Sequence, residues 1–175
     1  MLIRSPRRAL LTFLSACILA APAGGCAAHE EPVTTPDFET RLVLKNAGGV
    51  EASEFQSGET ITFSVTIRNR AAAPRTLTLP TSQTHDCFVY AVDHKEVWRH
   101  SSGRMFAQMI TELTFQPGES RTFIATWDQT DAKGRAAPAG GYEAVGLVPG
   151  RAPGCRSDAV TFTIRPPAAR KPAAP

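Results

Sequence analysis

Few residues in this 175-residue chain are of a type that does chemistry, and their spacing argues against catalysis. Ser, His and Asp are all present, but no G-x-S-x-G elbow, H-E-x-x-H pair or glycine-rich phosphate loop occurs. Nothing in the sequence sets a nucleophile beside a base, and the chain reads as a non-enzyme. His85, His94, His100, Met105 and Met109 are the residue types that hold copper, yet the histidines fall on separate turns, so no metal site and no cofactor are expected. Asp128 and Asp131, followed by Gly134, miss the alternate spacing of a calcium loop and read as turn chemistry. Trp98 and Trp127 could form a platform for a peptide or sugar. On strands of a small sandwich, however, such rings are expected in the core.

The cysteines say more about place than about reaction. Arg4, Arg7 and Arg8 precede an apolar run from Ala9 to Ala21, and small residues lead to Ala23-Gly24-Gly25-Cys26. These are the zones of an export signal. The run falls short of the roughly 20 residues of a spanning helix. Small residues before a cysteine resemble a bacterial lipobox, in which the cysteine is lipidated and becomes the new N-terminus.

Cys17, after Leu14-Ser15-Ala16, has the better local consensus. Cutting there, however, leaves a very short apolar run and an odd thiol at Cys26. Cys26 is favoured because it leaves Cys87 and Cys155 to pair as a disulfide in an oxidising compartment. Closing so long a loop would stabilise by roughly 4 kcal/mol in the chain-entropy model. Ordinary cleavage near Ala21-Pro22-Ala23, giving a secreted protein, remains the alternative. With Ala27 after Cys26 in place of a retention Asp, the expected location is a lipid anchor in the bacterial membrane. In a two-membrane cell that means the periplasmic face of the outer membrane.

The organisation follows. Residues 1–26 are the signal ending at the lipidated cysteine, and 27–38 are a polar, proline-containing tether. Residues 39–165 are one domain's worth of chain, and 166–175 are a Pro/Ala-rich tail without the means to bury a core. The three signal arginines account for the whole formal charge of +3, leaving 16 basic against 16 acidic residues. No electrostatic reason to expect nucleic acid as a partner survives.

Residues Thr60–Asn69 alternate Ile61, Phe63, Val65 and Ile67 with polar neighbours, the period of a half-buried strand. The same alternation recurs at Leu42/Leu44, Leu77/Leu79, Leu113/Phe115, Phe123/Ala125/Trp127 and Val160/Phe162/Ile164. Cys87–Val92 is apolar on both faces, as in a strand near the middle of a sandwich. Turn residues interrupt at Asn46–Gly49, Ser57-Gly58, Asp93-His94, Gln116–Gly118 and Lys133-Gly134. Helical spacing is confined to a turn or two within Arg104–Ile110. The fold class expected is all-β, an immunoglobulin-like β-sandwich.

One ordered set of motifs runs through the middle of the chain. It comprises Trp98-Arg99, Met105-Phe106, Pro117-Gly118-Glu119, Trp127-Asp128 and Pro138-Ala139-Gly140-Gly141-Tyr142. In that order they resemble the BsuPI domain, a family named after a bacterial intracellular proteinase inhibitor, over about Thr60–Ile164. The resemblance implies the same sandwich and a protein partner, a serine proteinase. With an export signal, that partner would be extracytoplasmic. Two loops are candidates for contact: His100–Gln108, with Met105 and Phe106, and Gln129–Gly140, with Lys133 and Arg135. Lys133 or Arg135 would suit an acidic specificity pocket, and Met105 or Phe106 an apolar one. The alternative is a non-inhibitory structural or assembly module of the cell envelope.

Overall fold

Alternating apolar residues fold as expected, into strands that bury one face. The computed structural model describes residues 36–167, and among them there are ten strands and no helix. They are β1 (Phe38–Lys45), β2 (Glu54–Gln56), β3 (Ile61–Asn69), β4 (Arg75–Leu79), β5 (Asp86–Ala91), β6 (Glu96–Arg99), β7 (Thr111–Phe115), β8 (Ser120–Trp127), β9 (Gly140–Leu147) and β10 (Val160–Arg165). The signal, Cys17, Cys26 and most of the tether and tail lie outside the described residues.

One layer has the order β1-β3-β8 and the other β2-β10-β9-β5-β6, while β4 and β7 form a separate antiparallel two-stranded pair. All pairings are antiparallel except β2 with β10. Leu42, Leu44, Phe63, Val65, Ala125 and Trp127 from the first layer meet Cys87, Val89, Tyr142, Ala144, Phe162 and Ile164 from the second in one continuous core. Leu77, Leu79 and Phe115 of the separate pair join it. The architecture is an all-β sandwich.

Buried polar groups tie the ends of strands together. Asn69, at the end of β3, is fully buried. Its Nδ2 donates to the carbonyls of Ala73 (3.0 Å) and Phe115 (3.2 Å), and its Oδ1 accepts from the amide of Ala71 at 2.9 Å. A buried amide is tolerated only when its bonds are made. The Tyr142 hydroxyl donates to the Pro138 carbonyl at 2.6 Å, a tyrosine corner of the kind found in immunoglobulin-like sandwiches.

Two expectations are corrected. Arg104–Ile110 contains no helical turn, only a bend at Gln108. Met105, Met109 and Ile110 face solvent instead of a core, so a helix there would have no buried stripe to stabilise it. Cys87 and Cys155 are both buried free thiols. Cys87 pairs with Gly146 on one side of β9, whereas Cys155 accepts from the Val148 amide and its neighbour Arg156 bridges Leu147 on the other side. Two inter-strand spacings of about 4.8 Å exceed the roughly 7 Å that a disulfide spans between Cα atoms.

Candidate functional site

Both candidate loops leave the sandwich along the seam where the edge strands β6 and β8 face each other. The first is pinned at its base by Asp86. This carboxylate is fully buried, and it accepts from Arg99 Nε (2.8 Å), from the Ser101 hydroxyl (2.7 Å) and from the Ser101 amide (3.0 Å). Burial alone pushes the Asp86 carboxyl up. The Ser101 and Arg99 hydrogen bonds outweigh it and leave the group below its ordinary range. Arg99 also lies over the Phe88 ring, 4.7 Å from its centroid, so its guanidinium is held on two sides.

Beyond Ser101 the chain turns through Gly103. It then runs from Arg104 to Ala107 with neither turn nor bend. At the far end Ala107 and Ser82 clasp each other: the Ser82 amide donates to the Ala107 carbonyl at 3.0 Å, and the Ala107 amide donates to the Ser82 hydroxyl at 2.9 Å. Between these clamps Met105 is 97 % exposed, while Phe106 is half-buried. Met109 and Ile110 are exposed as well, so half of the large exposed apolar side chains among the described residues lie within six positions. Such concentration marks a contact surface more often than scattered apolar residues do.

The second loop is a tight hairpin. The Trp127 indole donates to the Thr130 carbonyl at 2.8 Å, and Thr130 bridges Ala136. Asp131 organises the tip. Its Oδ1 accepts from the amides of Lys133 (2.8 Å) and Arg135 (2.9 Å), and its Oδ2 pairs with Arg135 Nη2 at 2.6 Å. The Arg135 guanidinium and amide bring the Asp131 carboxyl down to about 2. Gly134 takes φ +72°, which the bend after Lys133 requires. Asp128 accepts from the amide and hydroxyl of Thr130. Both aspartates are therefore engaged in turn bonding.

The base of this hairpin is Gln129, buried and at φ 62°. Its Nε2 donates to the carbonyls of Gln56 (2.8 Å) and Glu59 (2.9 Å), and its Oε1 accepts from the Gly58 amide at 2.8 Å. Lys133 is exposed at the tip, and Arg135 is held by Asp131.

A polar groove of about 490 Å³ separates the two loops. Trp98, His100 and Arg104 line one wall, and Thr126, Thr130 and Asp131 the other. Trp98 is half-buried and stacks on Trp127 (5.8 Å) and Phe63 (5.4 Å), so one tryptophan is core and the other is core and groove wall at once. The seam is filled by rings: Phe123 stacks on His85 (5.4 Å), and His85 on His100 (4.9 Å). His85 Nε2 meets the Ile124 carbonyl at 3.1 Å, which occupies a carbonyl of the β8 edge.

Burial lowers the basicity of both histidines. His100 falls to about 4, with Arg104 and His85 adding to the effect. Its Nδ1 is buried without a partner. His94 stands apart, near Glu143. No group of three His, Cys, Asp or Glu side chains able to hold a metal occurs among the described residues. Burial and the neighbouring Asp86 push the Cys87 thiol up to about 12, which makes it a poor nucleophile.

The site missed in the sequence is the set of clamps: Ser82, Asp86, Ser101 and Gln129. Asp86 carried one signal, a lone carboxylate opening an apolar strand. Ser82, Ser101 and Gln129 carried none, because their partners are distant in sequence.

An all-β sandwich with two braced loops on one seam is the class of structure these residues define. Residues 49–152, more than half of the chain, match the family described as BsuPI, intracellular proteinase inhibitor, and the chain belongs to that family. No curated protein sequence matches the chain.

Among solved structures, the C-terminal domain of wzt is similar at 10 % identity and TM-score 0.48, covering 75 % of each chain. Spo0M, the sporulation control protein of Bacillus subtilis, is similar at 14 % identity and TM-score 0.42, covering 77 % of this chain and 51 % of that one. The alkylpurine DNA glycosylase AlkC of Pseudomonas fluorescens, bound to DNA containing an abasic site analog, is similar at 16 % identity and TM-score 0.44. That match covers 75 % of this chain and only 31 % of the glycosylase. Identities this low carry no functional implication.

Proposed function

We propose that this chain is a non-enzymatic binding module that inhibits a serine proteinase, meeting it with residues 100–110 and 129–136. The observation that carries this reading is the stretch Arg104–Ala107, free of turns and bends, with Met105 exposed, and fastened to the body of the sandwich at Ser101 on one side and at Ala107 on the other. A segment already held in its bound form loses little conformational entropy on association, so its contacts are realised as affinity. The family description, that of a proteinase inhibitor, supports a proteinase as the partner. Titrating the full chain into a panel of serine proteinases tests the proposal, with stoichiometric loss of activity expected for at least one. Absence of inhibition, together with co-purification of a cell-envelope protein, would favour the structural or assembly module instead.

The proposed site of action is the extracytoplasmic side of a bacterial membrane. Support comes from the arginines, apolar run and small residues before Cys26. This departs from the intracellular setting in the family's description. Labelling cells with a radioactive fatty acid such as palmitate should mark the wild-type chain and Cys17→Ala but not Cys26→Ala. The reverse pattern would make Cys17 the anchor.

A further inference from the structure

The two loops are not equivalent as ligands for a proteinase cleft, and their geometry separates them. A cleft takes up a segment as an added, extended strand, with one side chain seated in the primary specificity pocket. Lys133 sits on a tight turn closed by the Gly134 amide donating to the Asp131 carbonyl at 2.9 Å. Two further amides, those of Lys133 and Arg135, are folded back onto the Asp131 carboxylate. These donors would have to be released before the backbone could pair as a strand. Arg135 is further committed to its ion pair with Asp131.

In Arg104–Ala107 the turn bond is confined to the first residue, whose amide donates to the Ser101 carbonyl at 3.1 Å, and Met105 and Phe106 lie beyond it. The stretch runs without a bend, and its fixed points, Ser101 and Ala107, lie at either end. Within it Phe106 is half-buried against the body, whereas Met105 is exposed over almost all of its surface.

Resting on the inhibitory reading above, we infer that Met105 is the side chain that enters the primary pocket of the target, and that this pocket is apolar. An unbranched thioether adapts to an irregular apolar slot and brings no charge to be desolvated there. Lys133, across the groove from the Arg104 wall, contacts the rim of the cleft.

The test is a specificity switch in the full chain. Inhibition constants are measured for Met105→Ala, Met105→Lys and Lys133→Ala against proteinases with apolar and with acidic primary pockets. Met105→Ala should weaken inhibition of the apolar-pocket enzyme by about ten-fold or more, as for a central anchor. Met105→Lys should lose that enzyme and gain one with an acidic pocket. Lys133→Ala should weaken binding less and leave the choice of enzyme unchanged. The position is exposed, so thermal midpoints should match the wild type and exclude misfolding as a cause.

If the wild type inhibits but neither Met105 variant differs from it, the pocket assignment is overturned and the inhibitory reading stands. If Lys133→Ala alone abolishes inhibition, the hairpin enters the cleft and the assignment again fails. If the wild type inhibits no proteinase, both fall.

Discussion

At the scale of single residues, Asp86 decides the position of the exposed loop. Its oxygens hold Arg99 and Ser101 from a fully buried site, where removing the charge leaves Arg99 without its partner. Asp86→Asn should destabilise the fold by about 2–4 kcal/mol, read from urea midpoints, and should make residues 101–107 faster to cleave in limited proteolysis. A wild-type midpoint for this variant would show that the loop is held by other means. Because the folded-state pKa of Asp86 is lowered, its contribution is complete above the ordinary carboxylate range and disappears as pH falls through the folded value.

His100 has the same sign of dependence at higher pH. Its pKa drops from 6.5 to about 4 on folding, through burial first and then through Arg104 and His85, with Asp86 opposing. The unfolded chain therefore takes up the proton first as pH falls. Stability should decline between about pH 6.5 and pH 4, and His100→Phe, which keeps a ring in the stack, should flatten that part of the profile. The urea midpoint as a function of pH checks this, and an unaltered slope in the variant would remove His100 from the account.

At the scale of elements, β9 is the strand whose sequence disguises it. No alternating run is expected over Gly140–Leu147, where three glycines carry no side chain to alternate, yet the strand pairs with both β5 and β10 at the centre of the larger layer. Gly146 is needed for close approach: a Cβ there would lie 3.0 Å from Val65 Cγ2 and 3.3 Å from Val65 Cγ1. Gly146→Ala should cost about 1–3 kcal/mol by overpacking, measured by thermal or urea unfolding. Val65→Ala in the same background should recover part of the loss by opening room, a non-additivity that a mere propensity effect would not produce. The hairpin after β8 is an element of another kind, stable because Gln129 and Asp131 satisfy its backbone and owing little to apolar burial.

At the scale of the whole molecule, cohesion comes from a single core shared by both layers and from rings stacked across the seam. Among the described residues no sulfur bridge contributes, Cys87 and Cys155 both being free thiols. When protein matured in an oxidising compartment is unfolded without reductant, thiol labelling should mark the peptides carrying both Cys87 and Cys155. Protection of both would mean that they pair after a rearrangement of the strands around β9. In the folded state Cys87 should react slowly, since burial and Asp86 keep its thiol protonated.

The sequence by itself determined the all-β class, most of the strands, the turns and the apolar faces, since period-two alternation and turn residues act over a few neighbours. It also picked out Met105, Phe106, Lys133 and Arg135 as residues of two loops. The tertiary structure alone decided which of these are free: Met105 projects from a segment clamped on either side, Phe106 is half-buried, and Arg135 is held by Asp131. It likewise separated Cys87 from Cys155 and brought His85 onto His100. Those outcomes depend on the register and order of strands far apart in the chain, which local patterns do not encode.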